Sequence, residues 1–132
     1  MIERIKHIFI EETNNDMQFL EKELASSGSV KLSDEAVEKI FRTMHTIKGS
    51  APMFGFSKLT EIAIPVEIVY RGLYDGRISI DNHIIDKTKD VVSLIQDVLN
   101  KEEDHLASIE EQKDALILFF KNIDRLNVRT ND

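Results

Sequence analysis

The sequence predicts an all-α protein, an antiparallel up-down four-helix bundle with one additional helix. Three observations carry the prediction. Only 5 Gly and 2 Pro occur in 132 residues, so few breakers interrupt long regular elements. Apolar residues recur at steps of three and four along most of the chain, which is the helical period. No alternation of period two extends beyond Gly76–Ile80, so strands are not expected. Connections between the stripes are short, and short connections favour antiparallel neighbours. The length suits a single domain, read as residues 1–126 with a patternless tail at 127–132 that is expected to fray.

The first helix is expected from Met1 to about Ala25. Ile5, Phe9, Leu20 and Leu24 form its stripe, with Met17 and Phe19 nearby, and the polar stretch Glu11–Asp16 interrupts it. Ser26-Ser27-Gly28-Ser29 breaks the pattern. Ser33 is the expected N-cap of the second helix, because its hydroxyl can accept from an early backbone N–H and Asp34 and Glu35 suit the positive helix end. That helix is read to about Phe54 on the stripe Val37, Ile40, Met44, Ile47, Ala51 and Phe54. Pro52 is expected to bend or end it, and Gly55 suits the C-cap.

Ser57 is the next expected cap. The third helix then covers about Lys58–Tyr74 with Leu59, Ile62, Val66, Val69 and Leu73 inward and a kink expected at Pro65. Asp75-Gly76 marks a turn, and Gly72 is also read as a turn glycine. Asp81 caps a fourth helix with Ile84, Thr88, Val91, Ile95 and Val98 inward. After the polar run Lys101–Asp104, a fifth helix covers about Ala107–Leu126 with Ile109, Leu116, Phe119, Phe120 and Ile123 inward.

Composition excludes several functions. The formal charge is −7 and no dense Lys/Arg run exists, so nucleic acid is not an expected partner. There is no cysteine, which removes disulfides, thiolate metal sites and cysteine nucleophiles. The longest apolar run, Ala115–Phe120, is far short of the ~20 residues of a membrane span. The N-terminus does not read as a signal peptide, so the expected location is cytoplasmic, with no membrane partner. No glycine-rich phosphate loop is present, so no cofactor and no ATP site are expected. Glu102-x-x-His105 is a single metal-type motif without the second copy and extra carboxylates that a di-iron bundle needs, so no metal is expected. His7 and His83 read as surface residues.

The informative segment is His45-Thr46-Ile47-Lys48-Gly49-Ser50. His45 lies about 100° round the helix from Met44, off the buried stripe and on a face with Phe41, Lys48, Gly49 and Pro52. Lys48, one turn on, can reach the space above His45 and complement negative oxygens there. Gly49 inside a helix costs about 1 kcal/mol relative to Ala, and close approach of another surface is a natural reason for it. Taken singly, Lys48 reads as a solvated residue and Gly49 as a helix–helix contact. Their one-turn spacing from His45 makes the combination informative.

This string, continued by Ala51 and by Met53-Phe54-Gly55-Phe56, resembles the histidine-containing phosphotransfer (HPt) domains of two-component signalling. It is most similar to the N-terminal phosphotransfer domain of chemotaxis histidine kinases. The likeness extends over about residues 2–126, through the first helix at Phe9–Glu23, Leu73-Tyr-Asp-Gly-Arg-Ile and Asp86-Lys-Thr-Lys-Asp. It implies that His45 accepts a phosphoryl group on Nε2, that Lys48 assists its oxygens, and that Gly49 leaves room for a receiver domain. It also implies that Glu67 is the third-helix carboxylate facing the histidine. Accepting from Nδ1–H, Glu67 would fix the tautomer and leave Nε2 free to attack. The sequence departs from the chemotaxis subfamily one turn before Glu67, where Ile64 and then Pro65 stand in place of a second histidine.

The implied partners are a response-regulator receiver domain and a histidine kinase as direct or indirect donor. Docking is expected on Phe41, Arg42, Lys48, Gly49, Ser50, Met53 and Lys58, with the basic members complementing an acidic receiver pocket. Three functions follow: a phosphocarrier that is not itself an enzyme, the phosphoacceptor domain of a chemotaxis-type kinase, or an unphosphorylated helical adaptor.

Overall fold

The computed structural model describes residues 1–26, 32–100 and 106–130. The described residues form five α-helices: α1 Ile2–Ser26, α2 Asp34–Ser50, α3 Ser57–Tyr74, α4 Asn82–Asn100 and α5 Leu106–Thr130. A 3-10 helix, Ala51–Phe54, joins α2 to α3, and no strand occurs among the described residues. α2 packs along α3, α1 against α2 and α4, and α5 against α3 and α4; α3 also meets α4.

The α2 stripe is buried at every expected position, Val37, Ile40, Met44, Ile47, Ala51 and Phe54. Its start follows the expected chemistry, since Ser33 Oγ accepts from the Ala36 amide at 3.1 Å. Its end differs. The α-helix stops at Ser50, and Pro52, which has no N–H to give, stands in the first turn of the 3-10 segment. Gly55 closes that segment at φ 82°, a left-handed conformation open to glycine. Ser57 is not the cap of α3 but its first residue; Phe56 holds the cap position with no side-chain cap bond.

In α1, Phe9, Met17, Leu20 and Leu24 are buried, whereas Ile5 and Phe19 are largely exposed. The expected interruption is bridged by Thr13, which is buried between Phe9 and Met17. Phe9 stacks on Phe54 and Phe56, centroids 5.2 and 5.9 Å apart, and so ties α1 to the 3-10 segment. α3 runs on through Pro65, itself buried. Gly72 lies inside α3 and is not a turn glycine. A Cβ there would stand 2.6 Å from Ile78 Cδ1, so its bare Cα lets the following turn fold back and place the Ile78 amide 3.0 Å from the Gly72 carbonyl. Asp81 Oδ1 caps α4 through the Ile84 amide at 2.8 Å.

α5 holds a buried cation. Lys113 is 3% exposed and donates to Glu61 of α3, 2.7 Å away, and to Glu110 of its own helix. Burial alone would depress its pKa, but the two carboxylates outweigh burial and raise it. Residues 127–130 continue α5, with no Gly or Pro to stop the helix there. The Ser27–Ser29 part of the first connector, the Lys101–Asp104 run, the Glu102/His105 motif and residues 131–132 lie outside the described residues.

Candidate functional site

The site forms where α2 and α3 run side by side. His45 projects from α2 with its side chain 59% exposed, while Glu67 on the facing turn of α3 is buried. His45 Nδ1 stands 3.0 Å from Glu67 Oε2. An ionised carboxylate only accepts, so Nδ1 carries the proton, and Nε2 of the neutral ring keeps its lone pair.

Glu67 holds more than the imidazole. Lys48 Nζ lies 2.8 Å from Oε1, and Arg71 reaches Oε2 with both Nε and a terminal nitrogen at 2.9 Å. Burial would push the Glu67 carboxyl pKa up. The bonds from Lys48, Arg71 and His45 more than offset it and hold the pKa below the usual carboxylate range. Glu67 is therefore an anion at neutral pH, and its two oxygens fix three side chains around it.

An open cleft of about 520 Å³ lies beside the imidazole, lined by Phe41, Arg42, His45, Thr46, Arg71, Tyr74 and Asp75. The Arg71 guanidinium sits over the Phe41 ring at 5.0 Å, and Phe41 meets Tyr74 edge-on at 5.3 Å. The arrangement can present one unprotonated ring nitrogen to an incoming electrophile, with the ring oriented from behind and cations beside it. Among the described residues, no group of three His, Asp or Glu is placed to hold a metal ion.

A family model for the Hpt domain matches residues 4–115. The chain belongs to the Hpt domain family. Relatives of this Hpt domain include the chemotaxis protein CheA of Borreliella burgdorferi, 26% identical over 98% of the chain. They also include the CheA proteins of Listeria monocytogenes and Listeria innocua, each 28% identical over 60% of the chain. The chain spans only 15% of the length of the first of these proteins and 13% of the other two.

The Hpt domain brings His45, Lys48 and Glu67 together as the sequence reading grouped them. Gly49 is exposed, and a Cβ on it would meet nothing within 4 Å. The helix–helix contact that would have explained a glycine there is absent, and the space above it is open. Met53 is 70% exposed and Ser50 partly so. Two expectations need correction. Phe41 is a core residue, because the α2 face toward α3 is wider than the 37/40/44/47 stripe, and only its edge reaches the cleft. Lys58 is not a free positive charge, because its ammonium is paired with Glu110 of α5. Arg42 is exposed but bonded to Glu38 at 2.8 Å.

Arg71 is the site residue that sequence reasoning missed. Its signal was present, since residues 67 and 71 are one helical turn apart and opposite charges at that spacing meet. At Ile64 the structure has an apolar side chain, 42% exposed, one turn before Glu67.

Proposed function

We propose that this Hpt domain is a phosphocarrier of two-component signalling that accepts a phosphoryl group on His45 Nε2 and exchanges it with receiver-domain aspartates. The observation that carries the reading is the exposed His45 held through Nδ1 by a buried, ionised Glu67. Such a ring is oriented for attack without further rearrangement. Lys48 is the cation for the phosphoryl oxygens. The open space at Gly49 and the exposed Met53 form the receiver's landing area, with Arg42 and Ser50 at its rim.

In-line phosphoryl transfer depends mostly on positioning and charge, and a receiver brings its own metal ion and carboxylates. The domain therefore needs no ATP site of its own and acts as a carrier, not as a complete catalyst. The helix contacts also support an antiparallel up-down bundle of α1–α4 with α5 as the additional helix. On the side of α2 that carries His45, Arg42, His45, Thr46 and Gly49 are exposed. A second reading is favoured by the CheA relatives: the chain is the phosphoacceptor domain of a chemotaxis-type histidine kinase.

The test is transfer from a panel of Mg²⁺-loaded phosphorylated receivers and, separately, from a chemotaxis-type kinase core with ATP. An acid-labile, alkali-stable label that maps to His45 and is lost in His45→Gln supports the carrier. Label from the kinase core but from no receiver favours the second reading. No label from either donor, with helicity intact, overturns both and leaves the adaptor.

A further inference from the structure

We propose that Arg71 is a second phosphoryl-binding residue, which holds Glu67 while His45 is unmodified and turns to the phosphoryl oxygens once His45 carries the group. This rests on the phosphocarrier reading and adds to it a residue that the His45/Lys48/Gly49 pattern does not contain.

The charges around Glu67 do not balance. One buried carboxylate faces two cations, Lys48 on Oε1 and Arg71 on Oε2, so the cluster carries one positive charge in excess. The other charged groups lining the cleft are matched elsewhere. Arg42 pairs with Glu38, and Asp75 pairs with Arg77. The surplus therefore sits at His45 itself, the place where phosphorylation adds negative charge.

Geometry selects Arg71 as the mobile partner. Its guanidinium bonds the same Oε2 that accepts from His45 Nδ1, and it lines the same cleft as the imidazole. It is half exposed, so it can swing without opening the core. The Phe41 ring lies beneath the guanidinium, 5.0 Å from it, on the floor of the cleft beside His45. After it leaves, Lys48 and the imidazole N–H still satisfy Glu67.

The chemistry balances without an added reactant. His45 Nε2 forms the P–N bond while the P–O bond to the donor breaks, and the departing oxygen keeps the bonding electrons. Nδ1 keeps its proton, and Glu67 opposes the positive charge that develops on the ring. Arg71 then binds the phosphoryl oxygens, and Lys48 reaches them with a second N–H while its first stays on Glu67 Oε1.

The experiment loads the full 132-residue chain with phosphoramidate and follows wild type, Arg71→Gln and Arg71→Lys. Loss of one charge-assisted bond to the phosphoryl group should shift the transfer equilibrium between the phosphorylated chain and a receiver roughly tenfold toward the receiver in Arg71→Gln. Phosphorus NMR should show a raised second pKa of the phosphohistidine in Arg71→Gln and recovery toward wild type in Arg71→Lys. A residue that only braces α3 would leave that titration where it was. A wild-type transfer equilibrium, or an unmoved phosphoryl titration in folded Arg71→Gln, overturns the proposal while the carrier reading stands. Failure of wild-type His45 to take label from phosphoramidate, receivers or kinase overturns both.

Discussion

Lys48 Nζ lies 2.8 Å from Glu67 Oε1, while the other oxygen of the same carboxylate holds the imidazole of His45 one turn back along α2. One buried anion on α3 thus sets the position of an exposed histidine and a half-buried lysine on α2. The cost of burying Glu67 is offset by charge-assisted bonds, and its return is an oriented imidazole on an otherwise solvated surface.

His45→Gln should abolish phosphoryl uptake and leave the helices intact. The side chain is more than half exposed and its removal opens no cavity in the core. Intact-mass or peptide mass spectrometry after loading reads the first effect, and circular dichroism with a thermal melt reads the second. A large drop in melting temperature would show that the imidazole is a structural strut.

Gly49 separates stability from function. Gly49→Ala should raise stability by about 0.5–1 kcal/mol in urea unfolding, since glycine is the poorer helix former and the new Cβ meets no neighbour. Gly49→Gln should also fold at least as well, yet slow transfer to a receiver by roughly tenfold or more by filling the landing area, about 1.4 kcal/mol of barrier. Normal transfer by Gly49→Gln would remove receiver docking as the reason for the glycine.

Much of this was legible in the sequence, and the misses share a cause. The α2 stripe could be read because every member is apolar and the period is unbroken, and all of it is buried. His45 and Lys48 could be read because they lie one turn apart on one helix. Thr13, Arg71 and Lys113 could not be read so directly, because each is polar: Thr13 is nonetheless buried, and Arg71 and Lys113 are held by the carboxylates of Glu67 and Glu61. Phe41 was set on the site face because sequence periodicity gives a direction round the helix but not the width of the contact with α3. The change to a 3-10 turn after Ser50 falls at Pro52, where a bend or end was expected, whereas the contact of Phe54 with Phe9 joins segments far apart in the chain and was not legible.

Glu67 should make stability depend on acid. Its folded-state pKa lies below the ordinary value of 4.5, so its contribution is fully present above that value and is lost as pH falls through the folded pKa. Glu67→Gln should therefore be less stable than wild type at pH 7, by about 1–3 kcal/mol for lost charge-assisted bonds. The gap should narrow progressively below about pH 4.5, where the wild-type group loses its advantage. Urea titrations of both chains across that window read the difference. A gap independent of pH would mean that the carboxylate's charge contributes nothing to the fold.

Lys113 tests how α5 is attached. Its ammonium is buried against Glu61 and Glu110, and Lys58 also reaches Glu110, so the ion pairs bridge α3 and α5. The carboxylates are partly exposed and can regain water once the cation is gone. The larger loss on truncation is then the packed aliphatic stem. Lys113→Ala should cost about 2–3 kcal/mol, and Lys113→Met, which keeps the stem's volume, should cost less than half of that. Both should leave phosphoryl uptake at His45 unchanged, because the cluster lies on the α5 side of α3 and shares no partner with Glu67. Equal losses in the two variants would place the stabilisation in the ion pairs themselves, and α5 would then be held chiefly by charge.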